Sequence, residues 1–320
     1  MGGNFAERAV LWPRNMFMLS FRVAVMFLFS GLAIAQSNGT FVPTQPLAQV
    51  NLPARPLSEE EVRELIRRSA DNDLENDKKL RDYTYLEREE VRKLDGKGEV
   101  KSTETKNYEI MEIYGEQVQK LTGKDDKPLS DKDAAKEEEK IQKLMEKRKG
   151  ESAEESRKRQ EKEEKARENE RQFVKEVADA YNFEFVGVEA LGGRDNYVIE
   201  ADPKPGYEPR LKEARILPKF RFRAWIDKDE VQWKKLDVQC IDTVSFGLFL
   251  ARVHKGSRIV IEQTRVNDEV WLPQHISVSV DIRVALLKNF NIAVDDTYRD
   301  YKKFRIGTKI VPLGEVPVQP

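Results

Sequence analysis

The segment from Ile276 to Val284 constrains this chain more than any other. Ile276, Val278, Val280, Ile282 and Val284 alternate with Ser277, Ser279, Asp281 and Arg283. Successive side chains of a strand point to opposite faces, so this spacing predicts a strand with one dry and one wet face, as in an antiparallel sheet. The same alternation appears upstream in FRFRAWID, where Phe220, Phe222, Ala224 and Ile226 interleave with Arg221, Arg223, Trp225 and Asp227. Asp227 to Glu230 reads as a turn, and VQWKKLDVQCI follows as a further strand. FEFVGVEAL and NYVIEAD flank Gly192-Gly193 as a hairpin, and ADPKPGYEPR is a Pro-rich loop. FLARV, RIVIEQTRV and TYRDYKKFR (residues 297–305) complete the set. Strand follows strand through short turns with no helix between, which excludes a doubly wound α/β fold and favours a meander. What the dry face meets is a packed core, another chain or an apolar ligand.

The region before these strands has three parts. Residues 36–57 carry Pro43, Pro46, Pro53 and Pro56 and read as an extended leader. Ser58-Glu59-Glu60-Glu61 is a capping-box pattern, and Val62, Leu65, Ile66 and Ser69-Ala70 follow at helical spacing. A helix over 59–79 with one apolar face is therefore expected. Residues 82–122 hold Tyr83, Tyr85, Tyr108, Ile110 and Tyr114 around Asp95-Gly96-Lys97-Gly98, the pattern of a hairpin joined to the same sheet. Residues 130–172 then become almost wholly charged. Ser130 to Asp133 has the form of another capping box, and Glu139/Lys143, Glu154/Lys158, Glu155/Arg159, Glu161/Lys165 and Glu163/Arg167 stand at i,i+4. Such pairs support a solvated helix by ~0.2–0.5 kcal/mol each, while apolar residues are too sparse for a coiled-coil seam. Gly150 is the weak point. The segment is a solvated helical insertion or an arm that touches a partner. Phe173, Val174, Val177, Ala178 and Tyr181 then bring the chain back onto the fold.

Arg8, Arg14 and Arg22 precede the apolar run VAVMFLFSGLAIA at residues 23–35. A basic stretch, a short apolar core and the small residues Ala33 and Ala35 form a secretory signal, with cleavage between Ala35 and Gln36. The run falls short of the ~20 residues that span a bilayer, so no transmembrane anchor is expected after cleavage. Removal of residues 1–35 leaves 53 basic and 56 acidic residues, a net charge of −3. A periplasmic or secreted location follows.

Composition narrows the chemistry. Basic and acidic residues number 56 and 57, a balance that argues against nucleic acid as a partner. One cysteine, Cys240, excludes an intrachain disulfide, and with only His254 and His275 beside it no metal site is expected. No nucleophile elbow, zinc-protease helix, phosphate loop or dinucleotide fingerprint is present, so neither an enzyme nor a cofactor is expected. Cys240 reads as a buried inert thiol, His254 as a turn residue and His275 as an exposed or capping residue at a strand start.

The order of the C-terminal strands carries a family resemblance. One strand ends in Ala224-Trp225-Ile226-Asp227, Glu269-Val270-Trp271-Leu272-Pro273 opens the long alternating strand, and Tyr298-Arg299-Asp300-Tyr301-Lys302-Lys303-Phe304 closes the sheet. Over residues 183–305 this succession resembles the LolA/LolB-like outer-membrane lipoprotein-sorting proteins of the bacterial envelope. The resemblance implies an α+β fold, a curved antiparallel β-sheet (an incomplete barrel) with helices on its concave side. The charged insertion at 130–172 departs from the compact carriers of that family. The expected layout is a signal peptide at 1–35, a Pro-rich linker at 36–57, a single domain at 58–305 interrupted by that insertion, and a tail at 306–320. The function implied is binding or carriage of a lipid or acylated lipoprotein. Phe220, Phe222, Ala224, Ile226, Ile276, Val278, Val280 and Ile282 would form a hydrophobic wall, and Val62, Leu65 and Ile66 a lid helix. A sealed core with an envelope protein bound through the charged arm is the alternative, because a dry sheet face packed by its own helix gives the same alternation.

Overall fold

The computed structural model describes residues 56–114, 116–246, 251–284 and 288–304. The expected signal peptide, most of the Pro-rich linker and the C-terminal tail lie outside them. The first element is helix α1 (Glu59–Leu80). Ser58 Oγ accepts the Glu61 N–H at 3.3 Å, and the Glu61 carboxylate accepts the Ser58 N–H at 2.8 Å, which satisfies two amides at the helix start. Glu59, Glu60 and Glu61 in the first turn and Lys78 and Lys79 in the last complement the helix dipole. Its buried face runs through Val62, Leu65, Ile66, Ser69, Asp73, Asn76 and Leu80.

The strands β1 (Tyr83–Leu94), β2 (Val100–Ile113), β3 (Glu116–Lys124), β4 (Lys127–Pro128), β5 (Tyr181–Leu191), β6 (Arg194–Pro203), β7 (Phe220–Asp227) and β8 (Trp233–Cys240) are followed by β9 (Val244–Phe246), β10 (Ala251–Val253), β11 (Arg258–Val266), β12 (Val270–Val284) and β13 (Lys288–Lys303). Among the described residues they form one sheet in the order β4-β3-β2-β1-β13-β12-β11-β8-β7-β6-β5, with β9 and β10 attached beside β12. All pairings are antiparallel, and the terminal strands β4 and β5 do not pair, so the barrel stays open. The strands at 82–122 enter the same sheet because β1 pairs with β13 from Tyr83↔Lys303 to Leu94↔Asn291.

Register lines up the dry face across the sheet. Phe183, Ala201, Phe222, Val238, Ile259, Val278, Val294 and Val91 are successive partners on eight strands. The neighbouring row runs Phe185, Ile199, Ala224, Leu236, Ile261, Ile276 and then turns acidic at Asp296 and Glu89. The wet face carries cross-strand ion pairs, including Lys235–Glu262 at 2.7 Å, Arg258–Asp237 and Arg223–Glu200.

Several elements differ from their expected form. Residues 82–122 make three strands, because the chain reverses a second time at Tyr114, whose φ is 50°. The long alternating strand begins at Val270, so His275 lies within it and faces Asp295 and Glu262 at 3.3 and 3.9 Å. The closing strand starts at Lys288, well before Thr297, because pairing with β12 carries residues of weak strand preference such as Asn289, Asn291 and Asp295.

The charged insertion is two helices, α2 (Asp131–Lys149) and α3 (Ala153–Ala180). Ser130 caps α2 by accepting the Asp133 N–H, but no reciprocal box forms, since the aspartate arm is one methylene shorter than glutamate. The full box appears at Ser152 and Glu155 instead and starts α3 directly after the Gly150 break. The helices are not merely solvated. Ile141 of α2 is buried against Ile113 and Val118, with Leu144 and Met145 alongside. Phe173, Ala178 and Ala180 of α3 are buried at its far end. Leaving from β4 and returning at β5, α2 and α3 connect the two open edges, and α3 alone is ~42 Å long.

Candidate functional site

The inner face is incompletely filled. A cavity of about 120 Å³ lies between the sheet and the helices above it. Phe220, Phe222, Ala224 and Ile226 of β7 form one part of its floor. Trp233, Leu236 and Val238 of β8 and Ile259 and Ile261 of β11 form the rest. Trp233 stands on the same face as Leu236 because a register shift between Trp225 and Ile226 inserts an extra residue in β8. The roof is Ile66, Ser69 and Ala70 of α1 with Phe173, Val174 and Val177 of α3. Tyr181 and Leu217, the latter from a 3-10 helix (Glu213–Lys219), close one end.

The lining is held in place by contacts that are specific to each element. The Tyr181 ring meets Phe222 edge-on with centroids 4.9 Å apart, and its hydroxyl donates to the Leu217 carbonyl at 2.9 Å. Burial pushes the Tyr181 phenol well above its ordinary pKa, so it stays neutral. One turn beyond the cavity, α1 is tied to the sheet by buried polar groups. Gln263 Nε2 and Gln232 Nε2 donate to Asp73 Oδ1 at 2.9 and 3.2 Å, and Asn76 Nδ2 donates to Gln232 Oε1 at 2.8 Å. The Trp271 N–H donates to Asn76 Oδ1 at 3.3 Å. Breaking such a bond inside the fold strands its partner, at ~1–3 kcal/mol per group. On α3, the buried Glu176 carboxylate accepts the Leu211 N–H at 3.0 Å and the Tyr207 hydroxyl at 3.2 Å, which clamps the loop 204–212 to the helix. Arg63 joins the two helices by donating to the Ala178 carbonyl and lying 5.7 Å from the Phe183 ring centre.

The residues singled out from sequence fall into four groups. Phe220, Phe222, Ala224 and Ile226 line the cavity. Ile276 and Val278 are buried in a separate cluster with Tyr85, Ile110, Leu272 and Val294, and Val280 packs against it. Ile282 belongs to a smaller cluster with Phe220, Cys240, Val244 and Val253. Val62, Leu65 and Ile66 all pack in the cluster around the cavity, but only Ile66 borders the open volume. The contributions of β8 and β11 were visible as alternation in VQWKKLDVQCI and RIVIEQTRV, and that of Ser69 in its helical spacing after Ile66, whereas that of Leu217 had no sequence signal.

Among the described residues no group of three or more His, Cys, Asp and Glu side chains is placed to hold a metal ion. Cys240 is buried, and burial raises its thiol pKa. A second, polar cavity of about 400 Å³ lies beside Arg194, Lys234, Arg265 and Trp271. Its arginines are engaged by carboxylates, Arg194 by Asp227 and Glu230, and Arg265 by Glu230 and Asp268.

Solved structures to which the chain shows a likeness include the following. The chain is similar to lipoprotein-sorting and LolA-superfamily proteins. A domain assigned to outer-membrane lipoprotein sorting from Vibrio parahaemolyticus is 10% identical over 77% of this chain and 95% of its own, with a TM-score of 0.30. The LolA-superfamily protein NE2245 from Nitrosomonas europaea is 8% identical over 76% of this chain and 93% of its own, with a TM-score of 0.29. A DUF1329-family protein from Desulfovibrio piger is 11% identical over 76% and 95%, with a TM-score of 0.27. No family model matches the sequence, and no curated protein matches it. Likeness at these scores bears on neither ligand nor mechanism, which rest on the cavity itself.

Proposed function

We propose that this chain is an exported, non-enzymatic envelope protein that holds a lipid or lipoprotein acyl chain between its sheet and helices α1 and α3. The apolar cavity supports this reading. Its lining is almost wholly apolar and open to solvent on one side, so an apolar occupant would withdraw that surface from water. Each methylene it buries adds ~0.8 kcal/mol without any special polar motif. The size also sets a limit. A cavity of ~150 Å³ takes a single benzene, so a volume of about 120 Å³ holds a short apolar stretch. A longer chain requires the first turns of α1 to part from the Phe173–Val177 turn of α3, while the Asp73–Asn76 contacts hold the rest of α1 on the sheet. The expected signal at residues 1–35 supports export, and no helix of the described residues is long and apolar enough to cross a membrane.

Native mass spectrometry of residues 36–320 purified from a bacterial periplasm, before and after solvent extraction, tests the reading. The expected result is a lipid-sized mass that solvent removes. A clean apo mass that stays clean after incubation with lipid micelles overturns it. Binding of an envelope protein through the exposed, charged faces of α2 and α3 is the second reading. Reversing Lys143 and Lys158 to glutamate would abolish that contact and leave lipid retention intact.

A further inference from the structure

We propose that the polar cavity beside Trp271 is a second ligand site, which takes a small polar molecule whose carboxylate or phosphate group pairs with Lys234. It shares no lining residue with the apolar cavity, so it stands or falls independently of the lipid reading. Two bulges shape it. Where β7 meets β8, Trp225 pairs with Lys235 and Ile226 with Trp233, which leaves Lys234 without a partner in the ladder. Where β11 meets β12, Glu262 pairs with His275 and Gln263 with Pro273, which leaves Gln274 over in the same way. Both extra residues line the cavity. A bulge re-aims a side chain at the cost of regular pairing, and such breaks gather beside functional sites. The volume of about 400 Å³ lies within the ~300–1,000 Å³ usual for small-molecule sites.

Lys234 lacks a counter-ion. Its Nζ donates to the Leu191 carbonyl and lies 5.9 Å from the centre of the Trp271 ring, but among the described residues no carboxylate pairs with it. Nearby lysines differ: Lys235 pairs with Glu262 at 2.7 Å and Lys228 with Asp195 at 3.3 Å. The carboxylate that lines the cavity, Glu262, is therefore already taken. Desolvation pulls the Lys234 pKa below its ordinary value, and the charges of Asp227 and Glu262 do not make up for it. The surroundings nevertheless make room for the ammonium. Gly192 has a φ of 55°, and a Cβ there would come within 2.7 Å of Nζ. Trp271 is a fixed wall, since its Nε1 donates to Glu230 at 2.7 Å and the Arg194 guanidinium lies 5.6 Å from its ring centre. An ammonium has three N–H groups, and the Leu191 carbonyl takes one. A carboxylate or phosphate oxygen takes another and supplies the missing charge, whereas a neutral polar molecule supplies only the hydrogen bond.

Isothermal titration of the mature protein, residues 36–320, with glucose 6-phosphate, glucuronate and glucose tests the proposal. Wild type should bind at least one of the two anions saturably, and the one it prefers tells phosphate from carboxylate. Glucose should bind at least tenfold more weakly. Lys234→Gln keeps a donor for the Leu191 carbonyl and should lose about ten- to a hundredfold in affinity for the anion. Its thermal midpoint should stay or rise, because a desolvated charge is gone, and this shows that it folds. Lys228→Gln removes the same charge from a lysine outside the cavity and should bind as wild type does. Binding of neither anion by wild type, or equal binding of glucose, overturns the site. Unchanged affinity in Lys234→Gln, or an equal loss in Lys228→Gln, overturns the role of Lys234 and with it the proposal.

Discussion

Asp227 ends β7 with its side chain fully buried, and its carboxylate organises the turn that follows. Oδ1 accepts the Glu230 and Asp229 N–H groups at 2.9 and 3.1 Å, and Arg194 approaches through two nitrogens. Burial alone would raise the pKa of this carboxyl. The Arg194 contact and the two amides outweigh that effect and hold it below its ordinary value. A depressed folded-state pKa makes a contribution to stability that is complete above the ordinary carboxylate range, near pH 4, and is lost as pH falls through the folded value. Asp227→Asn should therefore lower the unfolding free energy by ~2–3 kcal/mol at pH 7, and by less at a pH below the folded-state value. Urea titrations at the two pH values check this, and a difference independent of pH would show that the charge is not what matters.

At the scale of elements, β7 and β12 look alike in sequence and differ in surroundings. Both alternate cleanly, but β7 lines the open volume, whereas Val278 of β12 is 5% exposed and does not line it. Val278→Asp should cost ~3 kcal/mol or more, seen as a large drop in the denaturant midpoint. Phe222, only half-buried at the cavity, should tolerate glutamate with its β-sheet circular dichroism kept and its lipid retention abolished. Equal unfolding by both substitutions would mean that the β7 face is as closed as that of β12. Alternation reports which face is dry, and here it made the sheet legible. It does not report whether the space over that face is filled, because that depends on Phe173, Val174 and Leu217, which reach the site from distant segments. Helix α1 was readable nearly to its last residue because Ser58 and Glu61 fix its start and the apolar spacing its length. The early start of β13 was not, since Asn289, Asn291 and Asp295 are in strand only through pairing with β12.

For the whole molecule, two connections bring distant segments together. Helices α2 and α3 run between the open edges, and β13 joins the N-terminal strands to the rest of the sheet. A chain ending at residue 287 would leave β1 without Tyr298 and Tyr301, the rings against which Tyr85 packs with centroids 6.1 and 5.0 Å apart. Such a truncation should lose cooperative thermal unfolding and near-ultraviolet circular dichroism. A retained sharp transition would mean that β5–β12 form a core without β13.

The Tyr83↔Lys303 pairing also imposes an order in time. The two residues are over two hundred positions apart, so β1 is made early and meets its partner only after nearly all of the described chain exists. Closing so long a loop is slow, and sheets built on such contacts fold late. A polypeptide with this wiring keeps its sheet incomplete for as long as its C-terminal strand is missing.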